Sequence, residues 1–233
     1  MDLEPLLDIF YPKFCLSCKK EKVYLCADCF SKIEIFQSPY CPYCGLRSFN
    51  GLICKNHKKA LKGFVSATPY NQEIVKKLID NLKYSFVKEI AKTLALLMFK
   101  FLKENPEIEF FKNPDGFILI PVPLHKRRLC WRGFNQSEEI AKELSPLIKI
   151  PIKNDLLFKI KPTKPQVGLQ KEARIKNIEN SFLVNKNKLK LILNKKIILI
   201  DDVATTLSTL EEAAKTLKKA GAKEVWGIAI AHG

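Results

Sequence analysis

The stretch Ile197-Ile198-Leu199-Ile200-Asp201-Asp202-Val203-Ala204-Thr205-Thr206-Leu207-Ser208-Thr209-Leu210 carries residue types that bind phosphorylated ligands. Two adjacent carboxylates close an apolar run, and four hydroxyls follow, at Thr205, Thr206, Ser208 and Thr209. Adjacent side chains at a strand end point to opposite sides. One of Asp201 and Asp202 can therefore reach a sugar hydroxyl or a Mg²⁺-bound water while the other braces the turn. A hydroxyl-rich turn leading into a helix offers an anion backbone N–H groups, hydroxyl donors and the positive end of the helix dipole, with no need of a buried lysine. The same residues would also serve as an ordinary polar strand end with Ser208 as a helix cap.

A second chemistry is written in the cysteines. Cys15-Leu-Ser-Cys18 is followed after seven residues by Cys26-Ala-Asp-Cys29, and Cys41-Pro-Tyr-Cys44-Gly45 after nine by Cys54-Lys-Asn-His57. One Cys-x-x-Cys turn sets two thiolates on a tetrahedral ion and a second pair completes the shell, so two zinc ions are expected. The short spacers favour two sequential ribbons over interleaved ligands. His57 is the least usual ligand of the eight, and Gly45 suits a positive φ in its knuckle. Redox-active dithiols are the other use of such pairs, but no βαβ context surrounds them.

A third cluster is cationic. His125-Lys126-Arg127-Arg128-Leu129-Cys130-Trp131-Arg132-Gly133-Phe134-Asn135-Gln136-Ser137 places four cations within seven residues, just after an apolar run that ends Pro121-Val122-Pro123. The C-terminal end of a strand is where open α/β sheets bind ligands, and pyrophosphate fits this charge. Nucleic acid is the alternative, with Trp131 and Phe134 as stacking surfaces. Asn135 or Ser137 would cap the following helix, and unpaired Cys130 is expected as a small buried hydrophobe. Further on, the basic, proline-containing Lys159 to Arg174 reads as a segment able to close over a site, and Arg174 and Asn177 share a helical face.

Elements must hold these clusters in place. Ile197 to Ile200 predicts a strand buried on both faces and stopping at Asp201, with an amphipathic helix behind it at Leu210, Ala213, Ala214 and Leu217. Gly63 to Tyr70, Phe117 to Val122, Ile150 to Phe158, Phe182 to Val184 and Glu224 to Ala231 predict further strands. Asn71 to Leu82, Val87 to Leu102 and a segment ending at Leu147 predict helices, and the Asn-Pro pairs in Lys103 to Pro114 predict a connector.

The chain of 233 residues has 47% hydrophobic residues and 15 Phe, enough for a real core, which excludes a disordered protein. Forty Lys and Arg against 24 Asp and Glu leave +16, an excess that favours polyanions, nucleic acid or phosphorylated small molecules. The N-terminus is acidic where an export signal needs base, and the longest apolar block, Leu94 to Phe99, is far short of the roughly 20 residues that span a bilayer. A cytoplasmic protein without membrane insertion is expected, and in a reducing compartment the cysteines are better explained by metal than by disulfides.

The Asp-Asp-Val, Thr-Thr and Ser-Thr of the C-terminal stretch resemble the phosphoribosyl pyrophosphate (PRPP) loop of type I phosphoribosyltransferases. That resemblance implies that Asp201 and Asp202 contact the ribose hydroxyls and that Thr205, Thr206, Leu207, Ser208 and Thr209 hold the 5′-phosphate, with Mg²⁺ accompanying PRPP. Leu207 departs from the pattern, since the family usually has Gly there. A branched residue is tolerated if the turn is right-handed at that point and strained if it is left-handed.

Taken with the zinc pairs, Arg132-Gly133-Phe134-Asn135-Gln136, Pro165-Gln166, Gly168-Leu169, Arg174 and Asn177, the chain resembles the ComF family. The resemblance implies an α/β architecture: a double zinc ribbon over residues 1–60, then a parallel-sheet phosphoribosyltransferase domain with helices on both faces over 61–233. It assigns Arg127, Arg128, Arg132, Asn135, Gln136, Gln166 and Arg174 to pyrophosphate or nucleic acid. It also implies a role in natural transformation, handling incoming single-stranded DNA beside competence proteins such as a helicase. An active Mg²⁺-dependent phosphoribosyltransferase is the alternative.

Overall fold

The computed structural model describes residues 12–162 and 178–233. Its elements are α1 (Ala27–Ser31), β1 (Gly63–Pro69), α2 (Glu73–Tyr84), α3 (Ile90–Glu104), α4 (Glu109–Lys112), β2 (Phe117–Pro121), α5 (Lys126–Arg132) and α6 (Gln136–Ile148). They continue with β3 (Leu157–Lys159), β4 (Phe182–Val184), a 3₁₀ segment (Lys186–Leu191), β5 (Lys196–Ala204), α7 (Ser208–Lys219) and β6 (Glu224–His232). A four-stranded parallel sheet has the order β1-β6-β5-β2, and β3 and β4 form a separate antiparallel pair.

The central strands are apolar without alternation because both faces are covered. In β5, Ile198 and Ile200 face a core built with α2, α3 and α6, while Ile197 and Leu199 face a second core built with α7, β3 and β4. Strand β6 splits likewise, with Trp226 and Ile228 on the first side and Val225 and Ala229 on the second. Neighbouring strands β2 and β5 are thus followed by helices on opposite faces, α6 and α7. Their C-terminal ends diverge into a crevice at this switch of side, where α/β sheets bind ligands.

Several expectations need correction. Strand β5 does not stop at Asp201 but continues to Ala204, because Val203 and Ala204 stay in register with Ala231 and His232 of β6. Asp202 is therefore buried inside the strand. The strand expected over Ile150 to Phe158 is reduced to β3 and a single bridge from Ile152 to Leu119. The connector Lys103 to Pro114 contains the short α4, pinned by the fully buried Phe110. The cationic run folds as helix α5, which ends at Gly133 in the left-handed conformation (φ 76°). Cys130 is exposed on that helix, not buried, and Phe134 is buried, so it cannot serve as a stacking surface. Leu207 has φ 56° and ψ 4°, so the turn is left-handed at a residue that has a branched side chain.

Candidate functional site

The two cysteine sets are the simplest constellation. Ligand atoms of Cys15, Cys18, Cys26 and Cys29 lie within 4.8 Å of one another, as do those of Cys41, Cys44, Cys54 and His57. The ligands therefore group sequentially. Sulfur separations of 3.6 and 3.9 Å in the first set and 3.6 and 3.7 Å in the second match the edge of a tetrahedron with metal–sulfur bonds of about 2.3 Å. His57 presents Nδ1 at 2.9 Å from the Cys54 sulfur. The donor sets fit zinc, and the backbone repeats with them. Lys19 N–H bonds the Cys15 carbonyl in one knuckle and Gly45 N–H the Cys41 carbonyl in the other, both at positive φ (66° and 72°).

The crevice between β2 and β5 is a cavity of about 410 Å³. Its walls include Asp201, Asp202, Thr205 and Thr209 from the C-terminal stretch and Arg128, Arg132 and Gln136 from the cationic cluster, so the fold joins two clusters 70 residues apart in sequence. Leu207 and Ser208 are buried behind the loop, where the Thr206 and Ser208 hydroxyls bond each other at 2.7 Å. The N-cap of α7 is Leu207, whose side chain makes no capping hydrogen bond, and the N–H groups of the first turn present the positive end of the helix dipole.

Asp201 and Asp202 have different partners. Asp202 forms an ion pair with Lys83 of α2. Burial pushes the Asp202 carboxyl up, but the Lys83 ammonium outweighs it and holds the group below the usual carboxylate range. Asp201 accepts from the Ser137 hydroxyl at 2.9 Å and from the Asp202 N–H at 2.9 Å. Burial, then the neighbouring Asp202 charge, pushes its carboxyl up to about 7. Lys159, brought to the cavity by β3, is pulled down to about 8 by burial, against the attraction of Asp201.

Other expected site residues lie elsewhere. Arg127 is exposed outside the cavity lining, its N–H bonded to the His125 ring that caps α5. Asn135 is buried and takes the capping role: its side chain accepts from Ser137 N–H and donates to the Val122 carbonyl. Ser137 is thus freed from capping to hold Asp201. Arg132 donates to the Gln136 side-chain oxygen at 2.5 Å. Gln166 and Arg174 lie outside the described residues.

Sequence reasoning missed Lys83, Tyr84, Tyr70, Ser137 and Lys159, which line or brace the cavity. A signal existed for Lys83, which sits four residues after Ile79 on the buried stripe of α2, against the expectation of an anion site without a buried lysine. Among the described residues no helix is long and apolar enough to cross a membrane.

Comparison with known proteins gives this geometry a lineage. Residues 6–57 match the double zinc ribbon domain family and residues 132–232 the phosphoribosyl transferase domain family. The chain is 32% identical to Competence protein F of Haemophilus influenzae, covering 95% of this chain and 99% of that protein. It is 30% identical to Competence protein ComFC of Bacillus subtilis, over 86% of this chain and 80% of that protein. It is 28% identical to DNA utilization protein YhgH of Escherichia coli K12, over 87% and 88%. A double zinc ribbon joined to a phosphoribosyltransferase domain, with this identity over nearly the whole length, makes the chain a member of the ComF family.

Proposed function

We propose that this is a cytoplasmic ComF-type competence protein that binds PRPP with Mg²⁺ and handles incoming single-stranded DNA during natural transformation. One observation carries the reading: a single cavity at the ends of β2 and β5 holds a carboxylate pair and a hydroxyl-bearing loop on one wall and Arg128, Arg132 and Lys159 on the others. A phosphorylated sugar needs acceptors for its hydroxyls and cations for its phosphates, and this cavity offers both.

In this reading Asp201 receives ribose hydroxyls, Asp202 braces the strand end through Lys83, and Thr205 to Thr209 with the N-terminus of α7 hold the 5′-phosphate. Mg²⁺, when bound, would screen the pyrophosphate charge. For Gln166 and Arg174, outside the described residues, the family resemblance alone supports a role toward the same ligand. The zinc ribbon extends to residue 60 and the PRPP-binding domain runs from 61 to 233. The names of the relatives, two competence proteins and a DNA utilization protein, support the DNA half, as does the charge of +16. A helicase is the expected type of protein partner.

Lys159 favours a second reading, an active Mg²⁺-dependent transfer to an acceptor. A neutral Lys159 amine, its pKa brought down to about 8, can take the acceptor's proton as the acceptor bonds C1 of the ribose and the C1–O bond to pyrophosphate breaks, the pyrophosphate leaving beside Arg128 and Arg132.

Calorimetric titration with PRPP, with and without Mg²⁺, tests the first half: Mg²⁺-dependent binding is expected, and no heat at millimolar PRPP rejects it. Gel shift of a single strand over a salt series tests the second. Affinity is expected to fall steeply with salt through counterion release, and a flat response removes the DNA contact.

A further inference from the structure

The mouth of the cavity is aromatic. Trp131 on the last turn of α5 is 61% exposed, and the rings of Tyr84 and Phe86, themselves 57% and 44% exposed, stand with centroids 6.3 and 5.8 Å from it. Contiguous exposed rings on a soluble protein mark a surface that something covers. Phe86 is also held at φ 59°, a backbone region that side-chain-bearing residues avoid, at the edge of the same patch.

Arg132 supplies a second, independent observation. It is 8% exposed and lines the same cavity, with its guanidinium carbon 5.7 Å from the centroid of the Tyr84 ring. One terminal nitrogen bonds Gln136, yet its Nε–H has no acceptor among the described residues. A buried guanidinium left one bond short wants an acceptor from a ligand. The occupant must therefore offer a flat π-face, a carbonyl or phosphate oxygen, and negative charge to meet the cationic turns of α5. A nucleotide of a single strand offers all three, the π-face and carbonyl oxygens from its base and the charge from its phosphate, whereas the bases of a duplex are already stacked.

We propose that this aromatic edge is a nucleobase site: one base of a single DNA strand stacks on Trp131 at the cavity mouth, with its flanking phosphates along the Lys126–Arg128 side of α5. The site deepens the single-strand reading above and rests on it. It places DNA and the phosphorylated ligand in neighbouring halves of one cavity.

The chain has two tryptophans, and Trp226 is fully buried, so a change in tryptophan emission on DNA binding reports Trp131. A ten-nucleotide oligothymidylate and an abasic strand of equal length are titrated into the full chain, with emission and anisotropy of a labelled strand read together. Oligothymidylate is expected to quench the exposed tryptophan and the abasic strand to leave emission unchanged. Trp131→Ala should weaken oligothymidylate binding about 5- to 150-fold, the range of one stacked base, while Trp131→Phe restores most of it. The near-ultraviolet dichroism of Trp226 checks that both variants are folded.

Equal quenching by the abasic strand overturns the proposal, as does an unchanged affinity in Trp131→Ala. Anisotropy showing binding without quenching removes this site alone. No binding at low salt removes the DNA half of the functional reading with it.

Discussion

Asp201 and Asp202 are neighbours in sequence with opposite electrostatic fates, and the difference can be measured. The native state holds a proton on Asp201 up to about pH 7 because of burial and then the Asp202 charge, whereas an unfolded aspartate releases it near 3.9. The native state therefore binds more protons between those values, and this group makes stability fall as pH rises from about 4 to about 7. Asp201→Asn should remove that slope and raise the melting temperature at pH 8. Asp202→Asn should do the reverse, since it leaves the Lys83 ammonium without its partner at a cost of about 3–5 kcal/mol. Thermal melts of both variants at pH 5 and pH 8 check this, and equal losses in the two would contradict the division of roles. Leu207 is the second case. Its left-handed backbone costs roughly 1–2 kcal/mol, but its side chain is 3% exposed and packs into the core under α7, which returns about 1.5–3 kcal/mol. From sequence, Gly at this position would relieve the turn and improve it. With the side chain acting as an anchor, Leu207→Gly should instead lower the melting temperature and leave phosphate affinity equal or weaker. Tighter binding in Leu207→Gly would show that strain, not anchoring, governs the loop.

At the scale of elements, the sheet was legible because buried parallel strands are long apolar runs, and β2, β5 and β6 were each recognisable that way. Their ends were not, since Asp202 reads as solvent-facing until β6 supplies a register partner for Val203 and Ala204 beyond it. The zinc knuckles were fully legible, because ligand spacing is a local property. The cavity was only half legible: each cluster announced itself, but Lys83 and Ser137 gain their roles from the packing of α2 and α6 against β5, which no local pattern carries. Asn135 shows the same limit from the other side. It was expected at the ligand or at the cap, and the structure gives it the cap, with an additional bond to the Val122 carbonyl where the chain leaves β2. Asn135→Ala should therefore cost about 1–2 kcal/mol, lowering the melting temperature by about 2–8 °C for a chain of this size, and Asn135→Asp should recover the capping part. A melting temperature unchanged in Asn135→Ala would move the residue back towards a purely ligand-binding role.

At the scale of the whole molecule, the second ribbon grips both flanks of the loop that joins β5 to α7. Tyr40, next to Cys41, bonds His232 Nδ1 at 2.8 Å, and His232 Nε2 lies 3.1 Å from the Thr205 carbonyl at the start of the loop. A carbonyl only accepts, so Nε2 carries the proton and, in the neutral ring, Tyr40 donates to Nδ1. Burial favours that neutral ring by lowering the His232 pKa, against the pull of the Thr205 carbonyl. Tyr43, inside the Cys41–Cys44 knuckle, donates to Glu211 in the first turn of α7 at 2.5 Å, and the other Glu211 oxygen takes the Ala60 N–H at 3.0 Å. The loop between Thr205 and Glu211 is thus held at each end from a module whose own folding depends on its metal. Each bond contributes on the order of 1 kcal/mol, so Tyr40→Phe with Tyr43→Phe should loosen the loop by about 2 kcal/mol and weaken phosphate binding by up to about 30-fold while all eight zinc ligands remain. Hydrogen exchange over residues 205–211 should quicken in that variant. The same acceleration is expected when His57→Ala weakens the second metal site, and little of it when Cys18→Ala weakens the first, whose ribbon packs instead on β1 and α2 through the Phe36 N–H bond to Ala67 and the Glu34–Gln72 bonds. Exchange in the loop that ignores the second ribbon, or responds equally to both, would mean that the two modules are joined without being coupled.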